Sequence, residues 1–223
     1  SGLHAVAALR QSDPREIADL AEAVLDATDA LHEGAFDEIA QAQLGQGVAD
    51  LRRSDAPRLL YGLAVARRIG GDPLQALVAT LQELAISVDA IRFEKREGLR
   101  PLALAVAPPE DVRLALPTSA REWAPIFREA GAALHAAHLR PRTFEEALLA
   151  GDAVTRAFAA LLAGITTDVA WLRAHSQLTD AEATAHARAA GARALYDARR
   201  AAGRLLAAIA GADAASYREA MER

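Results

Sequence analysis

The sequence predicts an all-α protein that folds as a compact bundle of six or seven helices. Among its 223 residues, 57 are alanine and 30 are leucine, whereas aromatic residues make up 4%. Apolar residues recur in steps of three and four along most of the chain, which is the period of a helix with one buried face. A β-sandwich or barrel would need many more β-branched and aromatic residues. We therefore expect helices joined by loops.

The first predicted helix begins at Asp13-Pro14, because Ser12 or Asp13 can cap it and proline fits its first turn. We expect this helix to end at Gly45 and Gly47, or earlier at Gly34, because glycine is common at helix ends. Its expected buried stripe is Ile17, Leu20, Val24, Thr28, Leu31, Ala35 and Ile39.

Two further helices are predicted before residue 98. A short one covers 57–69 and ends at Gly70-Gly71, where glycine can adopt the left-handed conformation of a helix end. The next begins at Asp72-Pro73 and runs to Ile91. Its apolar face comprises Leu77, Leu81, Leu84, Val88 and Ile91.

The segment 98–117 differs from the rest of the chain, because its four prolines cannot lie inside a continuous helix. The apolar run Leu102 to Ala107 indicates a connection that packs against the protein. The segment is the predicted boundary between an acidic N-terminal helical half, 1–97, and a C-terminal helical half, 118–223. We expect the two halves to form one structural domain.

The second half is predicted to hold two long helices after a shorter one. Thr118 or Ser119 caps a helix to His138, and Thr143 with Glu146 forms a capping box for a helix that reaches His175. Residues 179–182 open the last long helix, which ends near residue 210, and a short tail helix is expected after Asp213.

A faint internal repeat leaves an arrangement of helical hairpins open. Similar short segments begin at residues 36, 73, 109 and 144, a spacing of 35 to 37 residues. The segment 60–76 resembles one tetratricopeptide unit, which would imply such hairpins. The matching positions are Leu60, Leu63, Ala64, Gly71 and Ala76.

Charge and composition exclude several classes of protein. Residues 1–50 hold two arginines and ten acidic residues, so we expect no nucleic-acid partner, since phosphate binding needs clustered basic residues. No apolar run is long enough to span a bilayer, and residues 1–10 lack the order of a signal peptide, so we expect a cytoplasmic protein with no membrane partner. One lysine against 24 arginines, together with the alanine excess, indicates the coding bias of a high-GC bacterium.

No motif predicts a catalytic or metal centre. The chain has no cysteine, and the common zinc, phosphate-loop and nucleophile-elbow motifs are absent. Four carboxylates on the first helix have metal-ligand spacing, but they lie opposite its apolar stripe, so a solvated face is the better interpretation. They are Glu22, Asp26, Asp29 and Glu33. Cofactors cannot be assigned from the sequence.

The most specific hypothesis about a ligand-binding site comes from polar residues on helix faces that we expect to be buried. A buried charge is costly unless it is paired, so these side chains either extend to solvent, form internal ion pairs or line a pocket for an acidic ligand. The predicted ligand-binding residues are Arg92, His138, Arg173 and Arg188. His135 is expected to face solvent and His138 the core edge, and Trp171 is expected to point outward.

The last helix carries a stripe of small and apolar residues that would let a second helix approach closely. Its members are Thr184, Ala187, Gly191, Leu195, Ala198, Ala202, Leu205 and Ile209. The partner helix is either internal or a second subunit.

Taken together, these patterns favour a non-catalytic binding or interaction protein, expected to form a homo-oligomer through a helix face and to bind an acidic small molecule in an arginine-lined pocket. The alternative is a small-molecule enzyme built inside the bundle. That enzyme would use the same arginines on an acidic substrate, or would hold a histidine and carboxylate di-metal site of the oxygenase kind.

Overall fold

The fold is mixed α/β, mostly helical but with a three-stranded sheet, so the all-α prediction is wrong. The computed structural model describes residues 13–52, 55–61, 69–97, 100–117, 122–140, 143 and 152–209. Contacts between residues divide the chain into two compact units. One comprises Leu63–Arg188, and the other comprises Ser1–Gly62 with Ala189–Arg223.

The first helix, α1, covers Pro14–Leu44 and begins and ends where its caps predict. The Asp13 side chain accepts a hydrogen bond from Arg15 N–H, and Gly45 ends the helix with φ of +66°. A 3-10 turn at Val48–Asp50 and helix α2, Asp55–Tyr61, follow. The buried face of α1 is rotated from the predicted stripe, because Ala21, Phe36 and Ala40 are buried. Leu20 and Leu31 from that stripe are instead exposed.

Helix α3, Pro73–Glu83, is shorter than predicted. Asp72 caps it by accepting a hydrogen bond from Leu74 N–H, and Ala85, at φ of +54°, turns the chain away just beyond it. Ile91 therefore begins a strand instead of ending a helix.

The sheet occupies the segment between α3 and residue 118. Its strands are β1, Ile91–Arg96, β2, Leu102–Ala107, and β3, Asp111–Pro117. Strand β3 lies in the centre, parallel to β1 and antiparallel to β2. The interpretation of 98–117 as a connection is wrong, since this segment contains β2 and β3. Its prolines are compatible with the two strands because they lie next to a strand or at its end. The predicted boundary between two halves stays a prediction.

Helix α4, Ala124–His138, covers one face of the sheet and also crosses α5, Asp152–Ile165. The core between them holds Trp123 and Phe127 from the start of α4, and Val112, Leu114 and Leu116 from β3. The three β3 residues occupy alternate positions of the strand, which is the period expected when one face of a strand is buried.

The predicted helix from Thr143 to His175 is broken within its described part, 152–175, which forms two helices. Helix α5 ends at Ile165, and α6, Val169–His175, begins after Asp168, whose side chain accepts a hydrogen bond from Trp171 N–H. The last helix, α7, covers Asp180–Ile209 as predicted. Its capping box is present, because Glu182 accepts a hydrogen bond from Thr179 N–H and donates its own N–H to the Thr179 hydroxyl.

The internal repeat does not correspond to one recurring structure. Residue 36 lies inside α1, Pro73 begins α3, and Pro109 precedes β3. Several other expectations lie outside the described residues: the caps Thr118 and Ser119, the helix start at 144–151, the positions Leu63 and Ala64, and the tail after Asp213.

Candidate binding surface

The sheet face turned away from α4 is the candidate binding surface, and we call it the open sheet face. Strand register fixes its members, since paired residues project on the same side of a sheet. Arg92 pairs with Arg113, which in turn pairs with Leu104, and the next row consists of Glu94, Ala115 and Leu102. Arg96 and Asp111 extend these rows along β1 and β3. The opposite face consists of the apolar residues that pack toward α4.

Ion pairs join most of the charges on the open sheet face. Arg113 donates to both carboxylate oxygens of Asp111, at 3.0 and 2.8 Å, and lies 3.8 Å from Glu94. Arg96 donates to Glu94 at 2.6 Å. Hydrogen bonds from Arg113 hold the pKa of the Asp111 carboxyl below its ordinary value, and the charges of Arg113 and Arg92 act in the same direction. The same bonds raise the pKa of Arg113.

Arg92 is the exception among these charges. Its side chain is exposed, and no described residue forms a hydrogen bond or ion pair with it. It lies directly across the strand pair from Arg113, where two like charges repel each other. An anion placed above the two guanidinium groups would remove this repulsion, and arginine can bind a carboxylate through two parallel hydrogen bonds.

Strand β2 contributes the apolar part of the open sheet face. Leu102 and Leu104 are 49% and 40% exposed, and Val106, beside a register shift in the strand, is 60% exposed. Three neighbouring aliphatic side chains on a surface strand are typical of an interaction surface more than of a solvated edge. The open sheet face therefore combines one unpaired cation with an apolar row.

The four residues predicted to bind a ligand lie on four different elements, and all four are exposed. Arg92 is on β1 instead of a helix. His138, at the end of α4, has Nδ1 2.9 Å from the Leu134 carbonyl oxygen. Arg173, on α6, donates to Asp180 at 2.9 Å, and Arg188 lies on α7. None of the four is a charge buried in the core, and a pocket shared by them stays a prediction.

The side chains of Trp171, His135 and His138 do not point in the directions that the sequence predicts. Trp171 is inward, because its Nε1 donates to the Thr80 hydroxyl at 2.8 Å and its ring packs edge-on against Trp123 and Phe127. His135 is half-buried and hydrogen bonded to Thr155, whereas His138, expected at the core edge, is exposed. Trp123, Phe127 and Trp171 therefore form part of the core of this unit.

The residues that the structure describes contain no group of three or more histidine or acidic side chains placed to hold an ion. The four acidic residues of α1 are exposed, as the solvated-face interpretation predicts. One of them, Asp29, has a structural partner that the sequence interpretation missed.

That partner is Arg199 on α7, which is buried although it is charged. Its guanidinium donates to the Leu25 carbonyl oxygen at 2.6 Å, to the Thr28 hydroxyl at 2.9 Å and to the Asp29 carboxylate. The signal in the sequence is its position, since Arg199 lies three residues before Ala202 and seven after Ala192, both of which are buried. These bonds fasten α7 to α1 inside one unit.

His32 lies beside this group, and partial burial lowers its pKa, with the positive charge of Arg199 acting in the same direction. Asp29 and Glu33 oppose the shift without reversing it. Because the unfolded chain protonates His32 at a higher pH than the folded chain does, folding stability is expected to fall as the pH drops through about 6.5. The measurement is the free energy of unfolding at pH 7.5 and 5.5 for the wild type and His32→Gln. The wild type should lose more stability than the variant, and equal losses would contradict this assignment.

The predicted stripe on α7 is not uniformly buried. Ala202 is buried, Gly191 and Ala198 are exposed, and the other members are half-buried. Oligomerisation through this helix face stays a prediction. Among the described helices none is long and apolar enough to cross a membrane alone, although α5 and α6 would pass by length and composition as a pair bent by 71°.

Comparison with known proteins gives no relative on which to base a function. A scan against protein-family models, a search of curated proteins and a search of solved structures each find no match to this chain.

Proposed function

We propose that this chain is a non-catalytic binding protein whose open sheet face binds an acidic partner that also carries apolar groups. The observation that carries the proposal is the unpaired Arg92 beside Arg113, in a row that ends at the exposed Leu104. A ligand carboxylate above the arginine pair would offset their repulsion, and an apolar group would cover Leu104 and its neighbours.

The charges nearby favour a partner with one or a few carboxylates over a polyanion. Arg113 and Arg96 already contact Glu94, and Arg113 also contacts Asp111, so the two acids would repel a dense array of negative charge. Arg92 is thus the main electrostatic anchor in this proposal. Of the four residues that the sequence predicts to bind an acidic small molecule, this proposal uses Arg92 alone.

The test uses dodecanoate, kept below its micelle concentration, because it joins one carboxylate to an apolar chain. We expect it to shift the backbone amide NMR signals of residues 91–117, and we expect dodecyltrimethylammonium, of opposite charge, not to do so. Arg92→Gln should weaken dodecanoate binding about tenfold, the value of one charge-assisted hydrogen bond.

Arg128→Gln is the matched control, because Arg128 is an exposed arginine on α4, on the other side of the sheet. It should bind dodecanoate as the wild type does. Signal shifts confined to other parts of the chain, or equal affinities for the two arginine variants, would overturn the proposal.

A further inference from the structure

The open sheet face is bounded by two strand edges, those of β1 and β2, and one backbone group of the β2 edge has a side-chain partner. Strand β2 is at the edge of the sheet, where free backbone groups would otherwise pair with an added strand. The Ala103 N–H donates instead to the Glu129 carboxylate of α4, at 2.8 Å. A strand added beside β2 would have to displace this charged side chain, so the edge is poorly suited to strand addition.

The face itself is better suited to a helix. Three strands span about 10 Å from β1 to β2, at about 4.8 Å between neighbours, which is close to the diameter of one helix. Helix α4 covers one face of the sheet, and a helix on each face is a common stable arrangement of layers.

The distribution of charge on the face selects the kind of helix. The apolar row lies along β2 with Leu102 and Leu104, whereas Arg92, which forms no ion pair with a described residue, lies on β1 at the opposite edge. A helix lying along the strands would need an apolar stripe above β2 and acidic residues on the side above β1.

From these features we infer that the open sheet face docks an amphipathic helix of a partner protein, one whose apolar stripe is flanked on one side by Glu or Asp. The inference rests on the proposed function and names the class of its acidic partner. The width of the face and the distribution of its charged and apolar residues fit such a helix.

The experiment compares three labelled peptides of equal length by fluorescence anisotropy with the full chain. The first has apolar residues at helical spacing with glutamates along one flank. The second has the same composition in strict alternation, as a strand requires, and the third replaces the glutamates of the first with lysines. We expect the acidic helical peptide to bind at least tenfold more tightly than either of the others, and to gain helical circular dichroism on binding.

Two variants locate the binding and keep the outcome interpretable. Arg92→Glu should reverse the preference between the acidic and lysine-bearing peptides, and Leu104→Asp should weaken both, whereas Arg128→Gln should change neither. Leu104 and Arg92 are exposed, so these changes should leave the circular dichroism of the folded chain intact.

The results separate this inference from the proposed function. If dodecanoate binds through Arg92 but the alternating peptide binds as tightly as the helical one, the helix inference is overturned and the proposed function stands. If neither dodecanoate nor any peptide binds, both are overturned. If sedimentation shows self-association that Leu104→Asp abolishes, the occupant is a second copy of the chain and the inference of a separate helical partner is wrong.

Discussion

Gly131→Ala should destabilise the unit that contains the sheet by about 3 kcal/mol, since overpacking against rigid backbone is among the costlier core changes. Gly131 lies where α4 crosses α5. A Cβ built there would lie 2.6 Å from the Phe158 carbonyl carbon and 2.7 Å from Ala159 Cα, and closer still to the Phe158 carbonyl oxygen. These are backbone atoms of α5, so the two helices would have to move apart.

The measurement is urea unfolding followed by tryptophan fluorescence. Both tryptophans, Trp123 and Trp171, belong to the core of this unit, and their rings pack against each other. Gly164→Ala is the matched control, because Gly164 is on α5 but a Cβ there would have no neighbour within 4 Å. It should be neutral or stabilising by up to about 1 kcal/mol, the helix preference of alanine over glycine. Equal stabilities of the two variants would contradict the close approach of α4 and α5 at Gly131.

Arg199→Ala should cost about 2–4 kcal/mol in the other unit. The change removes three hydrogen bonds that hold α7 to α1, and it also removes the buried aliphatic stem of the side chain. Arg200→Ala, at the exposed neighbouring position, should stay within about 0.5 kcal/mol of the wild type. Unfolding is followed by far-ultraviolet circular dichroism, which reports the total helix content, to which α1 and α7 contribute 31 and 30 residues.

Two more variants separate charge from packing at this position. Arg199→Met keeps most of the buried volume, and Asp29 is exposed enough to be solvated alone, so this change should cost less than Arg199→Ala. Asp29→Asn should also destabilise the unit, because it removes the carboxylate that pairs with the buried guanidinium. Should Asp29→Asn and Arg200→Ala prove equally harmless, the ion pair contributes nothing to stability.

Several helix boundaries were predictable from the sequence, although the end of α3 at Glu83 and the break between α5 and α6 were not. Asp13-Pro14, Gly45, Asp72-Pro73 and the Thr179–Glu182 box all act where the sequence places them. Each is a local interaction between a side chain and the backbone a few residues away, so neighbouring residues suffice to specify it.

The sheet was predictable in part, but the alanine content concealed it. On β3 the residues Val112, Leu114 and Leu116 alternate with Asp111 and Arg113, a period of two that argues for a half-buried strand. On β1 the alternation is shorter and ends at Lys95, and β2 alternates large with small apolar residues instead of apolar with polar. Because two of the three strands are weak patterns alone, their pairing with β3 decides their structure.

The candidate site was also predictable only in part from the sequence. The sequence singled out Arg92 as a cation worth explaining, but it placed Arg92 on a helix and grouped it with three residues from other elements. Only strand pairing places Arg92 beside Arg113 and in line with Leu104. The functional meaning of Arg92 therefore depends on neighbours about 20 and 12 residues away in the chain.

By itself the sequence determined the helix-rich composition, several helix boundaries and the acidic, solvated face of α1, because these follow from local propensity, capping and charge. Tertiary structure alone decided the pairing of the strands, the inward direction of Trp171, the burial of Arg199 and the composition of the open sheet face. The physical reason is that each of these depends on which surfaces meet. In a chain with 57 alanines the periodic pattern leaves the buried side of a helix poorly marked.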